Sequence, residues 1–148
     1  MERWYFPLIR VAQKDNHGCG IAAVATVCGL TYVRARAEFF PKRQSFKDDK
    51  RLHVDLKTSA AVIRRLGFET EEIDNPVSFD CPTIFTFCWD VNSRLKDYHT
   101  VVWNPFDLKV IDPGHDHTRG LTNEYYFSLW KKSGFRPLAI TRRIAVAA

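Results

Sequence analysis

Two stretches of this 148-residue chain hold residues whose types and spacing could do covalent chemistry together: QKDNHGCGIAAVATVCGLT and YHTVVWNPFDLKVIDPG. In the first, polar and glycine residues run up to Cys19, and a small, apolar run begins there. A thiol is a weak nucleophile and must ionise before it attacks. A helix N-terminus favours the thiolate, because unpaired N–H groups and the helix dipole attract negative charge. Gly18 and Gly20 leave room for a substrate backbone, and the N–H groups around them could face an oxyanion. On this segment alone, a cysteine that merely begins a buried helix fits equally well.

The second stretch offers that cysteine a partner. Asn104-Pro105 signals a turn, with Asn at its first and Pro at its second position. If NPFD is a four-residue loop between antiparallel strands, Trp103 faces Leu108, Val101 faces Val110, and His99 faces Asp112. Side chains paired in this way have Cβ atoms about 4.5–5.5 Å apart and can meet. A carboxylate beside an imidazole fixes its tautomer and supports its charged form, while the other ring nitrogen exchanges a proton with a thiol. An ordinary cross-strand salt bridge is the competing reading. A cysteine brought close by the fold would separate the two.

Periodicity outlines the elements that must position these residues. Ile21, Val24, Ala25 and Cys28 share one face of a helix closed by Gly29, which makes Cys28 a core thiol. A second helix over 32–39 stops before Pro41, and residues 41–55 read as an exposed, charged connection. Thr58-Ser59 can cap a helix through Leu66, closed by Gly67, with a short strand over 68–73 after it. From Pro82 the period becomes two, predicting strands over 83–89, 98–103 and 106–112. A helix over 123–132 and a last strand over 135–142 complete the chain. Helices first and a mostly antiparallel sheet afterwards predict an α+β fold, a single domain over 1–148.

Composition narrows the function classes. Apolar residues make up 45% and charged residues 26%, the balance of an ordinary globular protein. No apolar run approaches the roughly 18 residues that span a bilayer, so no membrane partner is expected. No signal-peptide pattern opens the chain, which makes a cytoplasmic location the expectation. The net charge of +5 is spread along the sequence among acidic residues, so no nucleic-acid partner is expected either. The four cysteines contain no C-x-x-C pair, and their gaps do not match zinc spacings. His115 and His117 alternate in HDH without a third ligand and read as surface loop residues; no metal site is expected. His17, two positions from Cys19, has the wrong direction for a base. It either lines a substrate cleft or is a plain loop residue. Cys81, Cys88, Trp103 and Phe106 read as packing residues, and His53 carries no signal.

Gln13 lies six positions before Cys19, and Gln-x5-Cys followed by a small-residue helix resembles the papain-like cysteine peptidases. Within that clan, QKDNHGCGIAAVATVCGL together with HTVV and IDPG is most similar to the C39-like, or double-glycine, peptidases, over roughly residues 11–114. The resemblance implies a papain-like fold. It also implies that Gln13 supplies an oxyanion donor, Cys19 attacks, and His99 and Asp112 complete the site. The implied activity is cleavage of a peptide or isopeptide bond in a peptide or protein substrate, with no cofactor. An acyl transferase with the same residues, or a silent peptide-binding domain, are the alternatives. One departure is Gly18, which stands where the family commonly has an acidic residue. Exporter-fused members continue into membrane helices, so this chain resembles a stand-alone version.

Overall fold

Small side chains decide where the first helix can lie. The computed structural model describes residues 7–15, 17–41, 52–89, 98–114, 121–133 and 135–143. In it α1 (Cys19–Cys28) buries every residue from Cys19 to Val27, not the single face its spacing predicts. Ala23, Val24 and Val27 join a core with Ile84, Val102 and Ile140 of the sheet and Ile63 of α3 (Leu56–Arg65). Ile21, Ala22 and Ala25 join a second core with Tyr32 and Ala35 of α2 (Tyr32–Phe39) and with Leu52 and Val54. Alanine and glycine let both neighbours close in, which bulkier residues would prevent. Gly29 ends α1 in the left-handed region at φ 68°, and its N–H bonds the Ala25 carbonyl.

The approach to α3 differs from expectation, and the last two strands, expected over 106–112 and 135–142, are shorter, Lys109–Ile111 and Leu138–Arg143. Asp55, not Thr58 or Ser59, caps α3: its carboxylate accepts from Thr58 N–H at 2.7 Å, and the helix starts at Leu56. An acidic N-cap satisfies an orphan N–H and complements the dipole, so it outcompetes the hydroxyls that follow. Of the predicted charged connection, Leu52 and Val54 are buried, and residues 42–51 lie outside the described part.

The strands are β1 (Phe68–Glu72), β2 (Thr83–Cys88), β3 (Tyr98–Asn104), β4 (Lys109–Ile111) and β5 (Leu138–Arg143). They form one antiparallel sheet in the order β1-β5-β2-β3-β4. Its central strand, β2, is buried throughout. Ile84 faces α1, whereas Phe85 and Phe87 face α4 (Asn123–Ser133) with Val101, Trp103 and Tyr126. Each fully buried phenylalanine stabilises this second layer by about 1.5–3 kcal/mol. His99 pairs with Phe87 and therefore lies on the α4 face.

The β3–β4 hairpin has a different register from the one expected. Asn104 pairs with Lys109, Trp103 with Val110 and Val102 with Ile111, so the loop is Pro105–Leu108. Asn104 stays in the strand because its side chain closes the turn from there, its Oδ1 accepting from Phe106 N–H at 3.0 Å. Leu108 completes the turn in the left-handed region at φ 54°, a strained position for a leucine, and it is 62% exposed. Leu108→Gly should therefore raise stability by about 0.5–1 kcal/mol, read as a higher urea midpoint at unchanged slope. The register shift is two residues, so each predicted pair changes partner, but because side chains alternate with period two every residue keeps its face of the sheet.

Candidate active site

Cys19 is the first residue of α1 and is 4% exposed. Gly18 caps the helix without a side-chain hydrogen bond, leaving the first-turn N–H groups to act on the thiol. At the glycines on either side, the space a side chain would take is filled by protein. A Cβ on Gly18 would lie 2.0 Å from the Tyr32 hydroxyl, and one on Gly20 would lie 2.5 Å from Val54 Cγ2. Their missing side chains serve the approach of α2 and of the segment before α3.

His99, 7% exposed, meets both of its expected partners. Its Nε2 lies 2.6 Å from Asp112 Oδ1, and the Cys19 sulfur is near enough to favour the charged form of the ring. Because Nε2 is turned to the carboxylate, Nδ1 is the nitrogen left for the sulfur. Continuing the observed register past β4 sets Gly114, not Asp112, opposite His99. The imidazole occupies that vacant side-chain space: a Cβ on Gly114 would lie 2.7 Å from His99 Cε1. The ring then reaches Asp112 as a diagonal neighbour on the same face.

Groups that periodicity did not single out surround this pair. Asp112 Oδ1 accepts from Gly114 N–H at 2.7 Å, and Oδ2 accepts from the Tyr126 hydroxyl of α4 at 2.9 Å. Trp89 stacks on the His99 ring at 5.0 Å and 28°, and Phe87 meets it edge-on at 5.7 Å. These rings pack against the imidazole, and Trp89 sets a π face against it. Burial alone would push the His99 pKa down, but the Asp112 hydrogen bond and the Cys19 sulfur outweigh it, raising it from 6.5 to about 9. Burial likewise opposes ionisation of Asp112, and the bonds from His99, Gly114 and Tyr126 overcome it, holding the carboxyl below its ordinary value.

Gln13 belongs to a strap that passes beside both elements of the site. Arg10 Nε donates to the Asp112 carbonyl at 2.6 Å, and Gln13 N–H to the Pro113 carbonyl at 3.0 Å. Between them, Val11 N–H donates to Thr26 Oγ1 of α1 at 3.1 Å. The Gln13 side chain donates from Nε2 to the Asp15 carbonyl at 2.9 Å. His17 is half-buried in the turn before Cys19. His53 is exposed and contacts the Tyr98 ring at 6.3 Å. His115 and His117 lie outside the described residues, among which no group of three or more His, Cys, Asp or Glu could hold a metal.

The remaining cysteines are set apart from this chemistry. All four are free thiols. Cys28 is packed against the core, only half-buried, and burial pushes its pKa to about 12. Burial, with the Asp80 carboxylate beside it, pushes Cys81 to about 11. Trp103 is buried in the α4 layer, as expected of a packing residue, whereas Phe106 is 49% exposed.

No protein-family model and no curated protein matches the chain. Among solved structures it is similar to a double glycine motif protease from an AMS/PCAT transporter, determined in complex with the leader peptide. The similarity covers 91% of each chain, with a TM-score of 0.56 and 19% sequence identity. Among the described residues no helix is long and apolar enough to cross a membrane. The chain has the α+β, papain-like fold of a C39 protease domain.

Proposed function

We propose that this protein is a cysteine hydrolase that cleaves a peptide or isopeptide bond, with Cys19, His99 and Asp112 as its triad. The observation that supports this most is His99 itself, a buried imidazole bonded to Asp112, with the Cys19 sulfur near enough to favour its charged form. A histidine pKa of about 9 keeps that ring charged at neutral pH, so it can act as the proton donor beside the helix-start sulfur. Cys19 Sγ attacks the carbonyl, and the oxyanion takes hydrogen bonds from the Cys19 N–H and Gln13 Nε2. His99 Nδ1–H protonates the leaving amine, and a water deprotonated by the same nitrogen releases the acid. Asp112 orients the ring and stabilises its charged form throughout. Neither step needs a metal or an organic cofactor. A peptide substrate agrees with the double glycine motif protease, which was determined with a leader peptide bound.

The test is competitive labelling. Substoichiometric iodoacetamide at pH 7 should modify Cys19 at least about tenfold faster than Cys28 or Cys81, whose thiols burial keeps protonated. Peptide mapping by mass spectrometry reads the distribution. Equal modification of all four cysteines in the folded protein would remove Cys19 as the nucleophile and leave only a peptide-binding domain.

A further inference from the structure

Asp15 lies in the turn between Gln13 and Cys19 and holds both of its ends. Its carbonyl oxygen accepts from Gln13 Nε2 at 2.9 Å and from Gly18 N–H at 3.0 Å. Two donors on one oxygen cannot be more than about 6 Å apart, so the Gln13 amide is kept beside the start of α1. The Asp15 carboxylate reaches α2, where Oδ2 accepts from the Tyr32 hydroxyl at 2.6 Å and lies 3.8 Å from Arg36 Nε. Tyr32 is 3% exposed, and its hydroxyl fills the space that any side chain on residue 18 would require.

The terminal torsion of a glutamine is broad, so its amide needs an outside contact to hold one orientation. An amide carries two N–H donors, and an acceptor on the first fixes the plane in which the second points. Here that acceptor is a carbonyl in an irregular turn, which stays in place only if the turn is tied to something rigid. Helix α2 supplies the tie through Tyr32.

Resting on the reading of Gln13 as an oxyanion donor, we propose that Tyr32 is a positioning residue for it: by gripping Asp15, Tyr32 fixes the carbonyl that aims the Gln13 amide at the oxyanion formed over Cys19. The effect is specific to steps that build an oxyanion. Alkylation by iodoacetamide forms a carbon–sulfur bond and expels iodide without one. Acylation by p-nitrophenyl acetate passes through a tetrahedral oxyanion before p-nitrophenolate leaves.

Both rates are measured on the full chain for wild type, Tyr32→Phe, Gln13→Ala and the double variant. Gln13→Ala should slow acylation by about 100-fold, the usual cost of one oxyanion donor, and Tyr32→Phe by about tenfold. Alkylation of Cys19 should stay within about twofold of wild type in Tyr32→Phe, and the double variant should acylate no slower than Gln13→Ala alone. Asp15→Ala, which removes the same grip from the other side, should reproduce the Tyr32→Phe pattern and stands in if that variant folds poorly. Wild-type acylation in Tyr32→Phe beside slow Gln13→Ala would overturn the role of Tyr32 alone. Equal losses in alkylation and acylation, or effects that multiply in the double variant, would do the same. Undiminished acylation in Gln13→Ala would instead overturn the oxyanion reading of Gln13.

Discussion

Replacing His99 with glutamine should lower the rate of Cys19 alkylation at pH 7 by about two to three orders of magnitude, the range expected on losing a general acid–base group. Glutamine keeps an N–H that can reach Asp112, so the buried carboxylate need not lose its hydrogen-bond partner. It cannot carry a charge, and with the imidazolium goes the cation that the proposed mechanism sets beside the sulfur. In wild type the alkylation rate should already be high at neutral pH and change again as His99 deprotonates near pH 9. In His99→Gln it should instead keep rising through the range where ordinary thiols titrate. A variant with the wild-type profile would show that the ring does not act on the sulfur.

The same charge has a consequence for stability. Folded His99 has a pKa of about 9, above its ordinary 6.5, so the folded state binds the proton more tightly than the unfolded chain. Its contribution is complete below pH 6.5 and is lost as the pH rises from there through about 9. Asp112 behaves oppositely: its folded pKa is depressed, so its contribution is lost as acid protonates it. The wild-type Tm should therefore fall between pH 6.5 and 9 relative to that of His99→Gln, measured calorimetrically at a series of pH values.

Gly114→Ala should abolish most activity while leaving the protein folded. The added methyl would lie 2.7 Å from His99 Cε1 and 3.0 Å from Asp112 Oδ1, closer than Cβ atoms pack. Either the ring leaves Asp112 or the loop after β4 moves and takes the Gly114 N–H off Oδ1. Displacing a catalytic group by about 1 Å can cost on the order of 100-fold in rate. Alkylation and acylation should fall together here, because the damage is to the imidazole and not to Gln13, the proposed oxyanion donor. Overpacking at one partly buried position should cost about 1–3 kcal/mol, visible as a lower Tm with an unchanged circular dichroism spectrum. Retention of both rates would mean that His99 does not need the space Gly114 leaves, and that the diagonal contact to Asp112 is not what holds the ring.

How much of this could be read without coordinates differs from residue to residue. The place of Cys19 at a helix start was legible because a polar, glycine-rich turn meets a small-residue run, a contrast carried by adjacent positions. The meeting of His99 and Asp112 was legible although the pairing register shifted by two residues, because sheet side chains alternate with period two and an even shift keeps them on one face. The all-round burial of α1 was not legible, since apolar spacing marks one face but does not show that alanines will admit a second neighbour. Tyr126 and Trp89 lie against the site through the packing of α4 and the end of β2, contacts that no local pattern encodes. The glycines beside Cys19 show the difference most directly. Their absence of a side chain was evident from residue type, but whether substrate or protein fills the space depends on where Tyr32 and Val54 come to rest. Short-range chemistry sets which residues can react and how a hairpin alternates. What surrounds, shields and aims them is set by contacts between segments far apart in the chain, which exist only once the layers have packed.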